Sequence, residues 1–303
     1  MMSQKLAGMR EPNVENRTVM NSSVTPSKWD AHAADYRRLF APLTGYVAQG
    51  MLRMVEARLP AGAAILDIAC GPGDLAVAAG RHLRRSGGGE GRVLAVDRSA
   101  AMVALSREAI SAAGLDAVVD CVVGDGQALQ PDDETFDAAF SSFGIFLFPD
   151  RALGWREAAR VLKSGGLFVT SAWCSPENNE LAQVQIEPMM ASLPKRLVEE
   201  QSRSDWEALL TREGLIEEVC AAAPFVDAEV SEFGATIALP RPMEMWLGML
   251  GNPVTDELLS ACTPVELARV KRAVLERLEK IAGGADRPVL LSSSCHILVA
   301  RRA

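Results

Sequence analysis

Short apolar blocks alternate with helical patterns along the middle of the chain, and this alternation constrains the fold more than any other feature. Each block is rich in Val, Ile, Leu, Ala or Phe and is followed by a turn or a helical pattern. Buried strands that alternate with helices form a parallel sheet with helices on both faces. The predicted strands are 64–69, 92–97, 117–123, 136–142 and 167–173. The sequence therefore predicts an α/β fold.

Before this alternation the pattern is helical. Residues 1–27 are polar and predict a flexible N-terminal tail, so the expected domain covers 28–303. Over 28–60, apolar residues recur at three- and four-residue intervals, with an expected interruption near Pro42. We expect these residues to form helices that act as a lid.

After the fifth predicted strand the pattern becomes mixed. Residues 175–203 look helical, and 231–285 include a stretch rich in Met and Trp, so both segments predict a helical cap that contacts substrate. Two further strands are expected, one near 219–230 and a last one that begins near Ser294. We therefore expect a cap built on the later part of the sheet.

Composition excludes several classes of function. The chain has 303 residues and a net charge of −8, and an acidic protein is a poor partner for nucleic acid. The six cysteines form no CxxC pair, so no zinc or other metal site is predicted. No stretch reaches the roughly 20 apolar residues of a membrane span. We expect a cytoplasmic protein, and the sequence leaves open whether it forms a homodimer.

A glycine-rich turn follows the first predicted strand. It contains Asp67, Gly71 and Gly73, and Ala76 completes a spacing that is also typical of dinucleotide-binding loops. Glycines let a ligand approach the backbone, and the next helix presents unpaired amides at its N-terminus. The alternative is a turn that needs glycine only for its conformation.

Two acidic positions follow the next strands. Asp97 ends the second strand, where a carboxylate can accept hydrogen bonds from both ribose hydroxyls, although it could also be a helix cap. Asp125, Gly126 and Gln127 follow the third strand, where a carboxylate could accept from the adenine amine. Because ligands of open α/β sheets bind at the carboxyl ends of the strands, these residues predict an adenosine pocket.

In these motifs the chain resembles the class I S-adenosylmethionine-dependent methyltransferases, in particular the branch that contains the ubiquinone and menaquinone biosynthesis C-methyltransferases. The matching segments are 65–74, 93–97, 124–129, 136–144 and 161–167. The resemblance implies a Rossmann-like, doubly wound, mostly parallel seven-stranded sheet with an antiparallel last strand. It also implies S-adenosyl-L-methionine as the cofactor.

The resemblance also implies roles for individual residues. The loop from Ala69 to Gly73 would lie against the methionine part of the cofactor, and Asp67 would orient its amino group. Ala69 departs from the family, which often has glycine there. The other implied contacts are Asp97 to ribose, Asp125, Gly126 and Gln127 to adenine, Met102 over the adenine face, Tyr36 from the lid, and Ser141 and Phe143 along the passage to the acceptor.

Residues for the acceptor and for proton transfer are harder to assign. His32, in the lid, is the best candidate for a catalytic base, and an exposed lid histidine is the alternative. Met245 and Trp246 belong to the Met- and Trp-rich stretch and suggest contact with a hydrophobic or aromatic substrate, or packing of the cap.

The predicted function is methyl transfer to a small, hydrophobic or aromatic acceptor, on carbon or oxygen. One alternative is a nicotinamide-dependent oxidoreductase, because the glycine spacing and Asp97 would also suit NAD. Against it, neither Tyr36 nor Tyr46 is followed four residues later by lysine. The other alternative is a non-catalytic binding protein with the same fold.

Overall fold

The structure is a computed structural model that describes residues 27–303 except 88, 90 and 202–207. The predicted tail therefore lies outside the described residues apart from Ser27, and so does the end of the first cap segment. The fold is built on a seven-stranded sheet of order β3-β2-β1-β4-β5-β7-β6. The strands are β1 Ala64–Ile68, β2 Arg92–Asp97, β3 Val119–Val123, β4 Phe136–Ser142, β5 Leu162–Trp173, β6 Phe225–Leu239 and β7 Val289–Arg302.

The direction of the strands confirms the predicted fold class. Strands β1 to β5 pair in parallel, whereas β7 pairs antiparallel with both β5 and β6. Six strands thus run one way and the last strand of the chain runs the other way. The order also differs from the 3-2-1-4-5-6 order typical of dinucleotide-binding sheets, because β7 lies between β5 and β6.

Helices cover both faces of the sheet and build the cap. They are α1 Ala33–Leu39, α2 Ala41–Val55, α3 Asp74–Arg85, α4 Ala100–Ala112, α5 Arg151–Val161, α6 Glu187–Ser192, α7 Lys195–Gln201, α8 Arg212–Ala222, α9 Pro242–Leu250, α10 Pro253–Ser260 and α11 Pro264–Ala282. The expected interruption near Pro42 is confirmed, since proline is tolerated in the first turn of α2 but not inside a helix. Among the described residues, no helix is both long and apolar enough to cross a membrane.

Three predicted boundaries near the cap are wrong. Val219 lies in α8, which Thr211 caps and whose apolar face is buried, so β6 begins only at Phe225. Strand β6 then runs to Leu239, past the predicted cap boundary at 231, and β7 begins at Val289 rather than near Ser294. The reason is pairing: β6 and β7 satisfy each other's backbone groups beyond the end of β5, a long-range effect that local patterns do not encode.

Two hydrophobic cores hold the molecule together. The larger one lies between the sheet and its flanking helices and includes Phe140, Trp155 and Phe168. The second lies inside the cap, where Trp246 and Val274 pack with residues of α6, α9, α11 and the β6–β7 extension. The cap is thus a packed layer above the carboxyl ends of the parallel strands.

Candidate functional site

A cavity of about 850 Å³ lies between the cap and the carboxyl ends of β1 to β5. Its floor contains residues that follow each of these five strands, as expected for an open α/β sheet. The predicted site residues that line it are Tyr36, Ala69, Gly71, Asp97, Met102, Asp125, Gly126, Gln127 and Phe143. The structure therefore brings most of the predicted adenosine pocket together.

The glycine-rich loop bends sharply between β1 and α3. Ala69, Gly71 and Gly73 have positive φ angles of 57°, 52° and 92°. A Cβ atom on Gly73 would lie 3.0 Å from the Ser106 backbone, so this glycine is needed for close packing of α4 and does not line the cavity. A Cβ atom on Gly71 would meet nothing within 4 Å and would project into open space beside the cavity. Gly71 thus leaves room for a ligand.

Ala69 holds the same left-handed conformation without being glycine. This costs about 1–2 kcal/mol for a residue with a Cβ atom. Its Cβ also limits the neighbouring turn, because a Cβ on Gly144 would lie only 2.6 Å from it. The departure from the family pattern is therefore accommodated by a glycine on the facing loop.

Asp97 connects the loop to the start of α4. Its two carboxylate oxygens accept hydrogen bonds from the backbone amides of Gly71 and Ser99, each at 2.8 Å. Burial raises the pKa of Asp97, and these two hydrogen bonds oppose the rise. A carboxylate has about four acceptor positions, so lone pairs remain for two ligand hydroxyls. This geometry fits the ribose of an adenosine cofactor.

Asp67 lies beneath the loop rather than on the cavity wall. The side chain is buried, and Oδ2 has no hydrogen-bond partner among the described residues. Burial raises its pKa well above the usual value, and the nearby Cys121 and Asp97 raise it further. A buried, unpaired carboxylate oxygen close to the loop can accept from an ammonium group, which fits the role that the resemblance implies.

Replacing Asp67 by asparagine is expected to stabilise the protein increasingly as pH rises. The pKa of the folded state lies above the reference value of 3.8, so the folded state binds the proton more tightly than the unfolded state. That contribution is complete below about 3.8 and is lost as pH rises through the raised pKa. The asparagine side chain carries no charge, so at neutral pH we expect a gain of at least about 1 kcal/mol in the free energy of unfolding.

Urea denaturation of both proteins at mildly acidic and at neutral pH measures this difference. Asp120→Asn, at an exposed position on β3, is the control and should not change stability. A stability gain for Asp67→Asn that is equal at both pH values would contradict the titration argument.

The turn after β3 places Asp125 and Gln127 at the cavity. Asp125 Oδ1 accepts from the Gln127 amide at 2.9 Å, and the Gln127 side-chain oxygen accepts from the Asp150 amide at 2.8 Å. Met102, in the first turn of α4, is buried and faces the same part of the cavity. The turn is therefore rigid, and Asp125 keeps acceptor positions for a ligand amine.

The end of β4 carries an unusual backbone. Phe143 has a φ of 52°, which is rare for a bulky residue, and its amide donates to Ser171 Oγ at 3.0 Å. Its ring stacks on Trp173 with centroids 4.2 Å apart. Ser141, in contrast, is buried outside the cavity, where its Oγ accepts from the Ile145 amide. A left-handed backbone such as that of Phe143 is strained, and such strain concentrates at functional sites.

The N-terminal lid closes the cavity from one side. Trp29 and Tyr36 both line it, and their rings meet edge to face at 5.6 Å. Asp30 accepts from Ser99 Oγ at 2.6 Å, which attaches the lid to α4. Burial raises the pKa of Tyr36 to about 12, so its hydroxyl stays neutral.

Three further predicted residues are not brought to the cavity. His32 is not among the described residues that line the cavity, and its Nε2 lies 3.7 Å from Asp256 on α10. Met245 and Trp246 are buried in the cap core, where Trp246 is only 2% exposed. The Met- and Trp-rich composition of this stretch indicated apolar surroundings, but it could not show whether substrate or the cap provides them.

Several residues that line the cavity were not predicted from the sequence. Trp173 ends β5 and Cys174 follows it, so the rule for strand ends could have found both. Asn179 and Gln185 in the cap carried no local signal, because polar residues in a helical segment are usually exposed. Phe148 packs so closely against Gly126 that a Cβ there would lie 2.5 Å from its ring.

The sheet order, the left-handed loop and the acidic residues after β2 and β3 define a class I methyltransferase fold. Comparisons with known proteins agree. Residues 51–201 match the model of the ubiE/COQ5 methyltransferase family, which confirms the resemblance seen in the sequence. The ubiquinone/menaquinone biosynthesis C-methyltransferase UbiE of Marinomonas sp. is 33% identical over 134 residues, which cover 44% of this chain and 52% of that protein.

Another relative has a similar degree of identity and coverage. The demethylmenaquinone methyltransferase of Shouchella clausii is 36% identical over 116 residues, covering 38% of this chain and 47% of that protein. The chain thus spans about half the length of the curated relatives it matches.

Solved structures support the fold alone. The YcgJ protein of Bacillus subtilis has a TM-score of 0.51 at 18% identity, covering 85% of this chain and 99% of that one. Phosphoethanolamine N-methyltransferase 2 of Haemonchus contortus, solved with S-adenosyl-L-methionine, has a TM-score of 0.50 at 18% identity. The match covers 85% of this chain and 52% of that chain.

Proposed function

We propose that the protein is an S-adenosylmethionine-dependent methyltransferase whose acceptor is a small, hydrophobic or aromatic molecule. The observation that supports this proposal is that one cavity is lined both by Gly71 and Asp97 and by the stacked rings of Phe143 and Trp173. The first pair suits an adenosine cofactor, and the second suits an apolar acceptor beside it. The family match supports methyl transfer, and the aromatic lining supports the acceptor class.

Residues that line the cavity, together with Asp67 beneath its loop, would have different roles according to their positions. The Ala69–Gly73 loop and Asp67 would hold the methionine part of the cofactor, Asp97 the ribose, and Asp125 with Met102 the adenine. The cofactor supplies a methyl group on a positively charged sulfur. Phe143 and Trp173 would orient the acceptor, while Trp29 and the cap exclude water. Positioning and exclusion of water can supply much of the rate enhancement of such a transfer.

Calorimetric titration of the purified protein with S-adenosylmethionine tests this function, with NADH as a parallel titrant. We expect micromolar binding of S-adenosylmethionine and none of NADH, because the sheet order differs from that of dinucleotide-binding domains. Preference for NADH would favour the oxidoreductase alternative. Binding without methyl transfer to any of a series of aromatic acceptors would favour the non-catalytic alternative.

Substituting Gly71 by alanine is expected to weaken S-adenosylmethionine binding about 10-fold or more, because the new methyl group would fill space that the cofactor needs. Gly165→Ala is a matched control. Gly165 also has a positive φ, of 74°, and open space around it, but it lies at the opposite end of the sheet. Both variants should lose about 1–2 kcal/mol of stability. Equal binding by the two variants would show that Gly71 does not face the cofactor.

A further inference from the structure

The part of the cavity above β4 and β5 differs from the part above β1 to β3. Its floor is the Phe143–Trp173 stack, whose ring planes are 24° apart. The sheet order separates this floor from the loops that carry Asp97 and Asp125, since β4 and β5 lie on the other side of β1. We refer to the floor together with the cap residues that face the cavity over 182–190 as the acceptor subsite.

The cap segment that lines the same cavity contains an irregular turn. Residues Ala182–Ile186 form a π-helical turn, a rare conformation that is frequent at functional sites. Gln185 lies in this turn, lines the cavity and is only 4% exposed. The turn therefore places a polar side chain in an enclosed position.

The Gln185 amide has no hydrogen-bond partner among the residues that the structure describes. Its neighbours differ: the Gln183 amide donates to the carbonyls of Pro176 and Glu177, and Asn179 Oδ1 accepts from Ser293 Oγ. A polar group that is enclosed without a hydrogen-bond partner destabilises the folded protein. Such a group in a cavity calls for a ligand or a water molecule as its partner.

A second unpaired group lies on the floor. Ser142 ends β4 and lines the cavity, and its buried Oγ has no hydrogen-bond partner in the described part of the chain. Hydroxyl and amide groups can each donate and accept. The subsite thus offers neutral hydrogen-bonding groups from the floor and from the cap.

Charge is absent from the described lining of this subsite. The charged residues that line the cavity are Lys28, Asp97, Arg98 and Asp125, which belong to the lid or to the ends of β2 and β3. Cys174 is ionisable, but burial raises its pKa to about 11, so the thiol is neutral. An ionic acceptor would lose its hydration here without gaining a counter-charge.

We propose that Gln185 is a specificity-determining residue that hydrogen-bonds a hydroxyl or carbonyl oxygen of a flat, uncharged aromatic acceptor stacked near Phe143 and Trp173. This inference rests on the proposed function and deepens it. The Gln185 amide donates to a carbonyl or accepts from a hydroxyl, and Ser142 provides a second contact for the oxygen-bearing edge of the ring. The apolar parts of the acceptor lie against the rings and against Met189 and Met190.

The test uses protein saturated with S-adenosylhomocysteine, so that no methyl transfer occurs. Equilibrium dialysis measures the binding of 2-naphthol and of 2-methylnaphthalene, which has the same shape without the hydroxyl. We expect wild-type protein to bind 2-naphthol about 10-fold more tightly, the effect of one well-placed hydrogen bond. Gln185→Met should abolish this preference and leave binding of 2-methylnaphthalene unchanged within about 2-fold.

Gln183→Met is the matched control. It removes an amide from the same turn, at a position that does not line the cavity, so the preference for 2-naphthol should persist. Thermal unfolding gives a second readout: Gln185→Met should raise the midpoint because an unpaired amide is removed, whereas a structural amide would lower it on removal.

The outcomes separate the two proposals. Wild-type protein that fails to bind S-adenosylhomocysteine would contradict the proposed function. Normal binding of S-adenosylhomocysteine would contradict the Gln185 proposal alone if 2-naphthol is not bound or not preferred. The same conclusion follows if the preference survives in Gln185→Met.

Discussion

Replacing Asp97 by alanine is expected to lower the affinity for S-adenosylmethionine by about 100-fold or more. The substitution removes the acceptor for two ribose hydroxyls, and hydrogen bonds to a charged group contribute about 1.5–3 kcal/mol each. It also removes the partner of the Gly71 and Ser99 amides, which Asp97 holds at 2.8 Å. Since the loop would lose its anchor, the methionine side of the pocket would be disturbed as well. Calorimetric titration measures the loss directly.

Asp120→Ala is the control for this prediction. Asp120 is an exposed residue of β3, and its removal changes the net charge by the same amount without touching the cavity. Circular dichroism would verify that both variants are folded. An affinity of Asp97→Ala within about 3-fold of the wild type would contradict the ribose assignment.

The largest effect on stability is expected for Trp246→Ala. Trp246 lies in α9 inside the cap core, beside residues of α11 and β7. Truncating a buried aromatic side chain to alanine leaves a cavity and lowers the free energy of unfolding by about 3–5 kcal/mol. Urea denaturation followed by fluorescence would detect this loss. The affinity for S-adenosylmethionine should change little in protein that remains folded, because Trp246 does not line the cavity.

Met243→Ala provides the comparison on the same helix. Met243 is 44% exposed, so its truncation should change stability by no more than about 0.5 kcal/mol. The alternative interpretation, that Trp246 contacts the acceptor, requires the opposite pattern. A small loss of stability in Trp246→Ala with a large loss of acceptor binding would support that alternative.

The sequence by itself determined the sheet and the cofactor half of the site. Apolar blocks between turn residues identified β1 to β5, because burial on both faces of a parallel strand requires continuous hydrophobic residues. Residues directly after β1, β2 and β3 then had to meet at one edge of the sheet, and Gly71, Asp97 and Asp125 do so. Ser99, two residues after β2, is of a residue type that favours a helix N-cap, and its Oγ accepts from the Met102 backbone amide. The family resemblance supplied the antiparallel last strand.

Only the tertiary structure decided which cap residues face the cavity. The sequence left open whether Met245 and Trp246 contact substrate or pack the cap, because an apolar stretch does not show which apolar surface its side chains meet. The structure shows that they pack inside the cap. Gln185 could not be found, since nothing local shows that a polar residue is enclosed without a partner. The position of His32 beside Asp256 likewise depends on packing between segments far apart in the chain. The carboxyl ends of β1 to β5 follow from local sequence, whereas the bounds of β6 and β7 and the contents of the cavity depend on contacts between distant segments.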